Sequence, residues 1–448
     1  MEQGLFEALN AQQLRAATYG DARRGVVDSG PVLIIAGAGT GKTMTLAPRT
    51  AFLMIKGVAA ERILMLTFSR RAAREMSERA VNVAAQSLAA KRGGTVPVRL
   101  DWSGTFHSIG SRLLRHHAGS IGLDPGFTIM DQTDSADLID LLRHELQFTR
   151  QCRRFPRKST CRDIYSQCVN RQKNLEHVLE TFYPWCIEWK DKLAELFRAY
   201  IKAKQHQNLL DYDDLLLHWM WLCENRALAK AVSARFDHIL VDEYQDTNVL
   251  QARILNLLRP SGRGLTVVGD DAQSIYGFRA AEVENILQFP DIFTPAAEVI
   301  PLEENYRSCQ PILDLSNALL AESSRAYQKK LFSSKKGGCV PELVSVESDQ
   351  EQAQFIVERI LDCREAGTDL RDQAVLFRNG HHSDRLEVEL VRRDIPYVKY
   401  GGLKFLESAH VKDVLSVLRW GENPKNRIAG FRVLKLIPGI GPATASRM

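Results

Sequence analysis

Four short apolar runs organise the chain: Val32-Leu33-Ile34-Ile35, Ile63-Leu64-Met65-Leu66, Ile239-Leu240-Val241 and Leu265-Thr266-Val267-Val268. Each is followed by a polar turn and a stretch with helical spacing. Short runs that are apolar on both faces read as buried strands of a parallel sheet, and their alternation with helices predicts an α/β architecture. Between Ser111 and Gln207 the strand-like runs disappear and the spacing becomes helical, which predicts an insertion folded as its own domain. A second strand–helix series is expected from near Val299, with Ala374-Val375-Leu376-Phe377 as one of its strands. Tyr400-Gly401-Gly402 is a candidate hinge, because paired glycines relax the backbone.

The first run leads directly into Ala36-Gly37-Ala38-Gly39-Thr40-Gly41-Lys42-Thr43. Glycines in such a turn let successive N–H groups face an anion, and the following helix adds the positive end of its dipole. Lys42 would reach the outer phosphates of a nucleotide, and the Thr43 hydroxyl would ligate magnesium. Pro48, inside that helix, is expected to kink it or end its first regular portion. The run Ile239-Leu240-Val241 ends in Asp242-Glu243. Ligands of open α/β sheets sit at the carboxyl ends of strands, so Asp242 is placed to hold magnesium. Glu243 can orient and deprotonate a water, a role that a hydrolase needs and a plain nucleotide switch does not.

Composition narrows the picture modestly. With 448 residues, 45% of them hydrophobic and 25% charged, the chain has the profile of a globular protein of two to four domains. Its first ten residues are too polar and acidic for a secretory signal, and no apolar run is long enough for a bilayer. A cytoplasmic location without membrane partners is expected. The net charge of +5 permits a polyanionic partner without requiring one. Of the 8 cysteines, only Cys152, Cys161 and Cys168 are crowded. They fit no common zinc spacing, so reduced thiols are expected in preference to a metal site.

The residues after Asp242 run Tyr244-Gln245-Asp246-Thr247-Asn248. Further on come Val268-Gly269-Asp270-Asp271-Ala272-Gln273-Ser274-Ile275-Tyr276-Gly277-Phe278-Arg279 and Leu302-Glu303-Glu304-Asn305-Tyr306-Arg307-Ser308. With the phosphate loop, these strongly resemble the UvrD/Rep/PcrA family of superfamily 1 DNA helicases, over essentially the whole chain. Leu9-Asn10-Ala11-Gln12-Gln13 resembles that family's adenine-reading segment. Thr67-Phe68-Ser69-Arg70 and Gly104-Thr105-Phe106-His107-Ser108 resemble its DNA-contacting segments.

The resemblance implies a RecA-like P-loop motor domain with a parallel sheet, an inserted helical domain and part of a second RecA-like domain. The implied boundaries are 1–110 with 208–288 for the first motor domain, 111–207 for the insertion, 289–400 for the front of the second motor domain, and 401–448 for the start of a fourth. It implies magnesium and ATP, with the nucleotide held by Gln13, Gly37, Ala38, Gly39, Thr40, Gly41, Lys42, Thr43, Tyr306 and Arg307. Gln13 would bond the adenine edge and Tyr306 would stack on its face. Gln273 would sense the γ-phosphate, and Arg307 would act as an arginine finger. Thr67, Phe68, Thr105, Phe106, His107, Tyr276 and Phe278 would lie on single-stranded DNA, where aromatic faces accept any base.

Single-stranded DNA and its junctions with duplex are the implied partners, and the cluster Arg150, Arg153, Arg154, Arg157, Lys158, Arg162, Arg171 and Lys173, which has only Asp163 near it in sequence, reads either as a phosphate-neutralising surface or as a solvated charged face. A helix-hairpin-helix turn with Gly439 and Gly441 could add backbone donors to a duplex phosphate. Met44 stands where the family often has arginine, and Phe278 where it usually has tryptophan. The family's last two motifs are not reached before Met448, so unwinding by this chain alone is not expected. A working 3′–5′ translocase, a DNA-binding module that holds ATP without turning it over, and the motor part of a helicase–nuclease all remain open. So do the pathway served and any protein partner.

Overall fold

The computed structural model describes residues 6, 8–23, 26–92, 99–148, 154–323, 326–338, 340–400 and 409–445. Among them, six strands form one parallel sheet. In chain order they are β1 (Val32–Ala36), β2 (Ile63–Thr67), β3 (Ser103–Thr105), β4 (His238–Val241), β5 (Leu265–Gly269) and β6 (Glu298–Leu302). Their order across the sheet is β6-β1-β5-β4-β2-β3. All four apolar runs are therefore buried strands.

The helices include α1 (Ala11–Ala17), α2 (Lys42–Ile55), α3 (Arg70–Arg92), α4 (Phe106–His117), α5 (Gln132–Glu145), α6 (Lys158–Arg171), α7 (Leu175–Phe182), α8 (Lys190–His206), α9 (Tyr212–Glu224), α10 (Val249–Leu258) and α11 (Gln310–Ala321). Side chains alternate between the two faces of the sheet, and the core divides accordingly. Leu33, Ile35, Leu64, Leu66, Ile239 and Val241 enter one apolar layer with Trp219 and Tyr244. Val32, Ile34, Ile63, Met65 and Leu240 enter the other, with Leu46, Leu53 and Met76. Helices cover both faces, which is why the strands are apolar on both sides.

Several expectations shift. The strand containing Val299 does not open a second sheet: β6 pairs with β1 in register Val299↔Leu33, so the first sheet extends past the expected boundary at residue 288. Strand character does not vanish between Ser111 and Gln207, because Thr128–Ile129 pairs with Leu209–Leu210. Helix α4 packs on Trp219 of α9 and belongs with the sheet, while the helical insertion has its own core running from Met130 to Leu209. Finally, α2 continues through Pro48 to Ile55 without ending there.

That core explains two of the crowded cysteines. Cys161 is buried in it and Cys168 packs against it, and burial pushes both thiols up to about 12. A thiol held protonated is a poor metal ligand. Cys152 lies outside the described residues.

The chain divides into two compact units, 1–339 with 419–428, and 340–418 with 429–448. In the second, helices Asp349–Glu365 and Asp384–Arg392 close over Ala353, Val357, Leu386, Leu390 and Ile395. Ala374–Phe377 is not a strand: no strand forms among the described residues of this unit, and Leu376 is exposed. A strand's N–H and C=O groups require a neighbouring strand, and apolar content alone does not supply one. Gly401 and Gly402 of the expected hinge lie outside the described residues. No helix among the described residues is long and apolar enough to cross a membrane.

Candidate nucleotide site and aromatic face

Because all six strands run the same way, their carboxyl ends collect the residues that the motifs singled out. The phosphate loop follows β1. Gly39 and Gly41 take left-handed conformations, with φ of +79° and +84°. A Cβ on Gly39 would stand 2.6 Å from the Cβ of Arg307, so the loop accepts no side chain there. Gly41 caps α2, and Lys42 is that helix's first residue.

Gln13 reaches this loop from α1. Asn10 and Gln13 form a reciprocal capping box, and the Gln13 Nε2 donates to the Thr40 carbonyl at 2.9 Å. The amide expected to read adenine is thus also a brace for the phosphate loop. Arg307 and Tyr306 come from the segment after β6. The Tyr306 N–H donates to the Gly39 carbonyl at 2.9 Å, and its hydroxyl accepts from Asn10 Nδ2 at 2.9 Å. Asn305, buried beneath, donates to the Ala38 carbonyl and accepts from the N–H groups of Arg307 and Ser308. The Arg307 side chain is exposed.

The charged centre lies at the ends of β4 and β5. Lys42 Nζ stands 2.7 Å from Glu243 Oε2 and 3.3 Å from Gln273 Oε1. Gln245 Nε2 donates to the same Glu243 oxygen at 2.8 Å, and the Gln245 Oε1 accepts from the Asp270 N–H at 2.9 Å. Gln273 Nε2 donates to Asp270 Oδ2. Glu243 itself sits in the left-handed region, at φ 51° and ψ 48°, which is unusual for a residue with a side chain. Asp242 is buried, and its Oδ1 meets no donor in the structure. Burial, then the nearby Glu243 charge, pushes its carboxyl up to about 7. Asp246 shows the same pattern, also at about 7, with burial again the main cause. An acceptor-only oxygen buried without a donor is what a divalent cation satisfies, so Asp242 with the half-buried Thr43 hydroxyl fits magnesium.

Beside this centre lies an exposed aromatic face. Phe68, after β2, stands 4.7 Å from the Tyr276 ring, and Tyr276 stands 5.8 Å from Phe278. Phe68 is 40% exposed and Phe278 62%. The Arg279 guanidinium lies 5.3 Å from the Tyr276 ring and 5.5 Å from the Phe278 ring. Helix α6 props this loop: Arg171 donates to the Gly277 carbonyl at 2.9 Å and pairs with Glu282 at 3.1 Å, while Gln167 donates to the Phe278 carbonyl at 3.1 Å.

Several expected DNA contacts turn elsewhere. Phe106 is buried against Trp219, their ring centroids 6.0 Å apart, and is a core residue. Thr67 is buried and donates to the Ser69 carbonyl at 3.0 Å. Thr105 caps α4 through the Ser108 N–H. His107 is half-buried, its ring 5.7 Å from Tyr212, and burial pushes its imidazole down to about 4.

The basic cluster is less bare than its sequence neighbourhood implies. Lys158 pairs with Asp137 at 2.6 Å, Arg162 with Asp163, and Arg171 with Glu282. Arg154, Arg157 and Lys173 are exposed, and Arg150 and Arg153 lie outside the described residues. Gly439 and Gly441 sit in an open turn between helix Arg427–Leu434 and the short helix Pro442–Ala445, Gly439 at φ +85°.

Sequence reasoning assigns no role to Gln245, Asn305 or Lys329, all of which join segments around the phosphate loop. Gln245 stands in a motif whose carboxylates draw the eye. Lys329, in a polar stretch, carries no sequence signal.

Comparison with known proteins agrees with this geometry. Residues 18–294 match the UvrD/REP helicase N-terminal domain, and residues 300–448 match the UvrD-like helicase C-terminal domain. Among similar proteins is the ATP-dependent DNA helicase PcrA of Staphylococcus epidermidis, 33% identical over 424 residues. The protein of that name from Staphylococcus aureus is 33% identical over 427 residues. Each alignment covers 94% of this chain and 56% of the relative, so the chain spans little more than half the length of these curated relatives.

Proposed function

This chain belongs to the UvrD/REP helicase family, and from that premise we propose that it is the ATP-binding front portion of a DNA helicase motor. The motor couples hydrolysis of magnesium-bound ATP to 3′–5′ movement along single-stranded DNA. The observation that supports this reading is a run of contacts from Lys42 to Gln273, three residues ahead of the half-buried Tyr276 and five ahead of the exposed Phe278. Phosphate contact and base contact share one short loop.

The roles follow from the charges. Lys42 rests on Glu243, and an arriving γ-phosphate competes for that ammonium. Drawing Lys42 away frees the carboxylate to orient and deprotonate a water, while Gln245 keeps it aimed. Thr43 and Asp242 would hold magnesium, which supplies positive charge to the phosphate oxygens. Arg307 offsets charge that builds on the transferred phosphoryl group. Gln273 follows the γ-phosphate and shifts the ring pair beside it, so occupancy changes the grip on a stacked base. Arg154, Arg157 and Lys173 on the insertion would meet DNA phosphates, and the open turn at Gly439 and Gly441 would by itself offer N–H groups to a duplex phosphate.

Glu243→Gln tests the reading. The variant should bind a fluorescent ATP analogue within a few-fold of the parent, while DNA-stimulated phosphate release falls about 10²–10⁴-fold. Lys42→Ala should instead weaken nucleotide binding itself. Near-normal turnover in Glu243→Gln would remove the base assignment.

A further inference from the structure

The side chain of Lys329 is 2% exposed and is held between two carboxylates, ion-paired to Asp270 and, at 2.7 Å, to Asp271. Asp270 is the residue that also accepts from the Gln273 amide. One acidic oxygen pair therefore serves the γ-phosphate sensor on one side and a buried ammonium on the other.

The segment that carries Lys329 runs to the far side of the nucleotide site. The Lys330 N–H donates to Glu303 Oε1 at 3.1 Å, the Phe332 N–H to the Glu303 carbonyl at 3.1 Å, and the Asn305 N–H to the Phe332 carbonyl at 2.7 Å. Leu331 packs so closely on the phosphate loop that a Cβ on Gly37 would meet its Cδ2 at 2.7 Å. Asn305 in turn holds the backbone of Arg307 and Ser308. A closed circuit results, from Lys42 through Gln273, Asp270 and Lys329 to Asn305 and back to the phosphate loop.

We propose that Lys329 is a positioning residue that transmits γ-phosphate contact from Gln273 to the segment bearing Tyr306 and Arg307. The inference rests on the reading of Gln273 as a γ-phosphate sensor. When Gln273 turns its amide toward phosphate, Asp270 loses one donor and depends more heavily on Lys329. The ammonium is drawn toward Asp270, and the stitched residues 329–332 carry the displacement to 303–307. The link is a continuous set of hydrogen bonds and ion pairs, and coupling through it is measurable.

The experiment is hydrogen exchange at the amides of 303–308, in the parent and in Lys329→Met, with magnesium plus either ADP or the non-hydrolysable analogue AMP-PNP. In the parent, AMP-PNP should slow exchange at these amides at least fivefold relative to ADP. In Lys329→Met, ADP affinity should stay within about threefold of the parent while the AMP-PNP-minus-ADP difference disappears. Lys329→Arg, which keeps the charge, should restore part of it. Removing the ammonium leaves two buried carboxylates without their partner, so Lys329→Met can fail to fold. Lys329→Met/Asp271→Asn, which deletes one charge of each sign, then carries the same comparison. An undiminished AMP-PNP-minus-ADP difference, or equal loss of affinity for both nucleotides, would overturn the proposal. A parent that shows no difference between the two nucleotides at 303–308 overturns the proposal as well, whereas a Gln273→Ala variant that keeps the parental ratio of AMP-PNP to ADP affinity overturns the γ-phosphate reading of Gln273 instead.

Discussion

Strands β2 and β3 are neighbours, and each ends in threonine. Thr67 pairs in register with Thr105, and each threonine is followed by phenylalanine. The outcomes are opposite: Phe68 is 40% exposed on the aromatic face, and Phe106 is 5% exposed in the core. The difference lies in the turn. After β2 two residues intervene before α3 begins at Arg70, and Phe68 is one of them. After β3 there is no turn, because Thr105 is both the last strand residue and the N-cap of α4. Phe106 is therefore already helical, and its side chain lies on the face of α4 that packs on α9. Identical local chemistry gives an exposed ring in one place and a structural one in the next, decided by two residues of connection.

Phe106→Ala puts the greatest strain on this contrast. A buried aromatic cut to alanine should cost about 3–5 kcal/mol of stability, read from denaturant midpoints. Single-stranded DNA affinity per folded molecule should not change. Parental stability with weakened DNA binding would put Phe106 on the DNA, as its sequence context alone implies. Phe68→Ala should reverse the pattern. Loss of one stacking platform weakens single-stranded DNA binding by about 1–3 kcal/mol, measurable by fluorescence anisotropy, with little change in the denaturant midpoint. If the protein instead loses stability, Phe68 is core and the contrast with Phe106 disappears.

His107 gives the smallest effect. Its imidazole is depressed from 6.5 to about 4 because desolvation in the first turn of α4, against Tyr212, disfavours the charged form. Between those values the unfolded chain binds a proton that the folded chain refuses, so acidification through this window destabilises the fold. His218 and His238 are depressed in the same direction, so the parent carries several such contributions. His107→Gln should make stability fall less steeply between pH 6.5 and 4, by at most one proton in the slope. Urea midpoints at a series of pH values would show it, and an unchanged slope would return His107 to solvent.

Much of the sheet and of the candidate nucleotide site is legible in the amino-acid sequence. The phosphate loop and the Asp242-Glu243 strand end announce themselves because their chemistry demands particular residues at fixed spacing. The four apolar runs are strands because both faces of a parallel sheet must be covered. The features that escape such a reading depend on distant partners. Val299 and Ala374 both open apolar runs, yet only the first finds a neighbouring strand, β1, whose hydrogen bonds it can complete. Lys158, Arg162 and Arg171 form a basic cluster in sequence, but Asp137 and Glu282 reach two of them from elsewhere in the chain. Lys329 looks like any surface lysine until Asp270 and Asp271 surround it. Exposure of a ring and pairing of a charge are properties of the assembled chain, and periodicity does not encode them.

Glu243 holds a backbone conformation that a residue with a Cβ adopts at a cost of about 1–2 kcal/mol, and that glycine or asparagine adopts with less strain. The position therefore pits ease of folding against the presence of a carboxylate. A collection of variants screened for heat resistance alone would have no reason to keep glutamate at 243 and one reason to lose it. A collection screened for turnover would be driven the other way. Frequencies at this single codon, compared between the two screens, would report which demand shaped a given lineage.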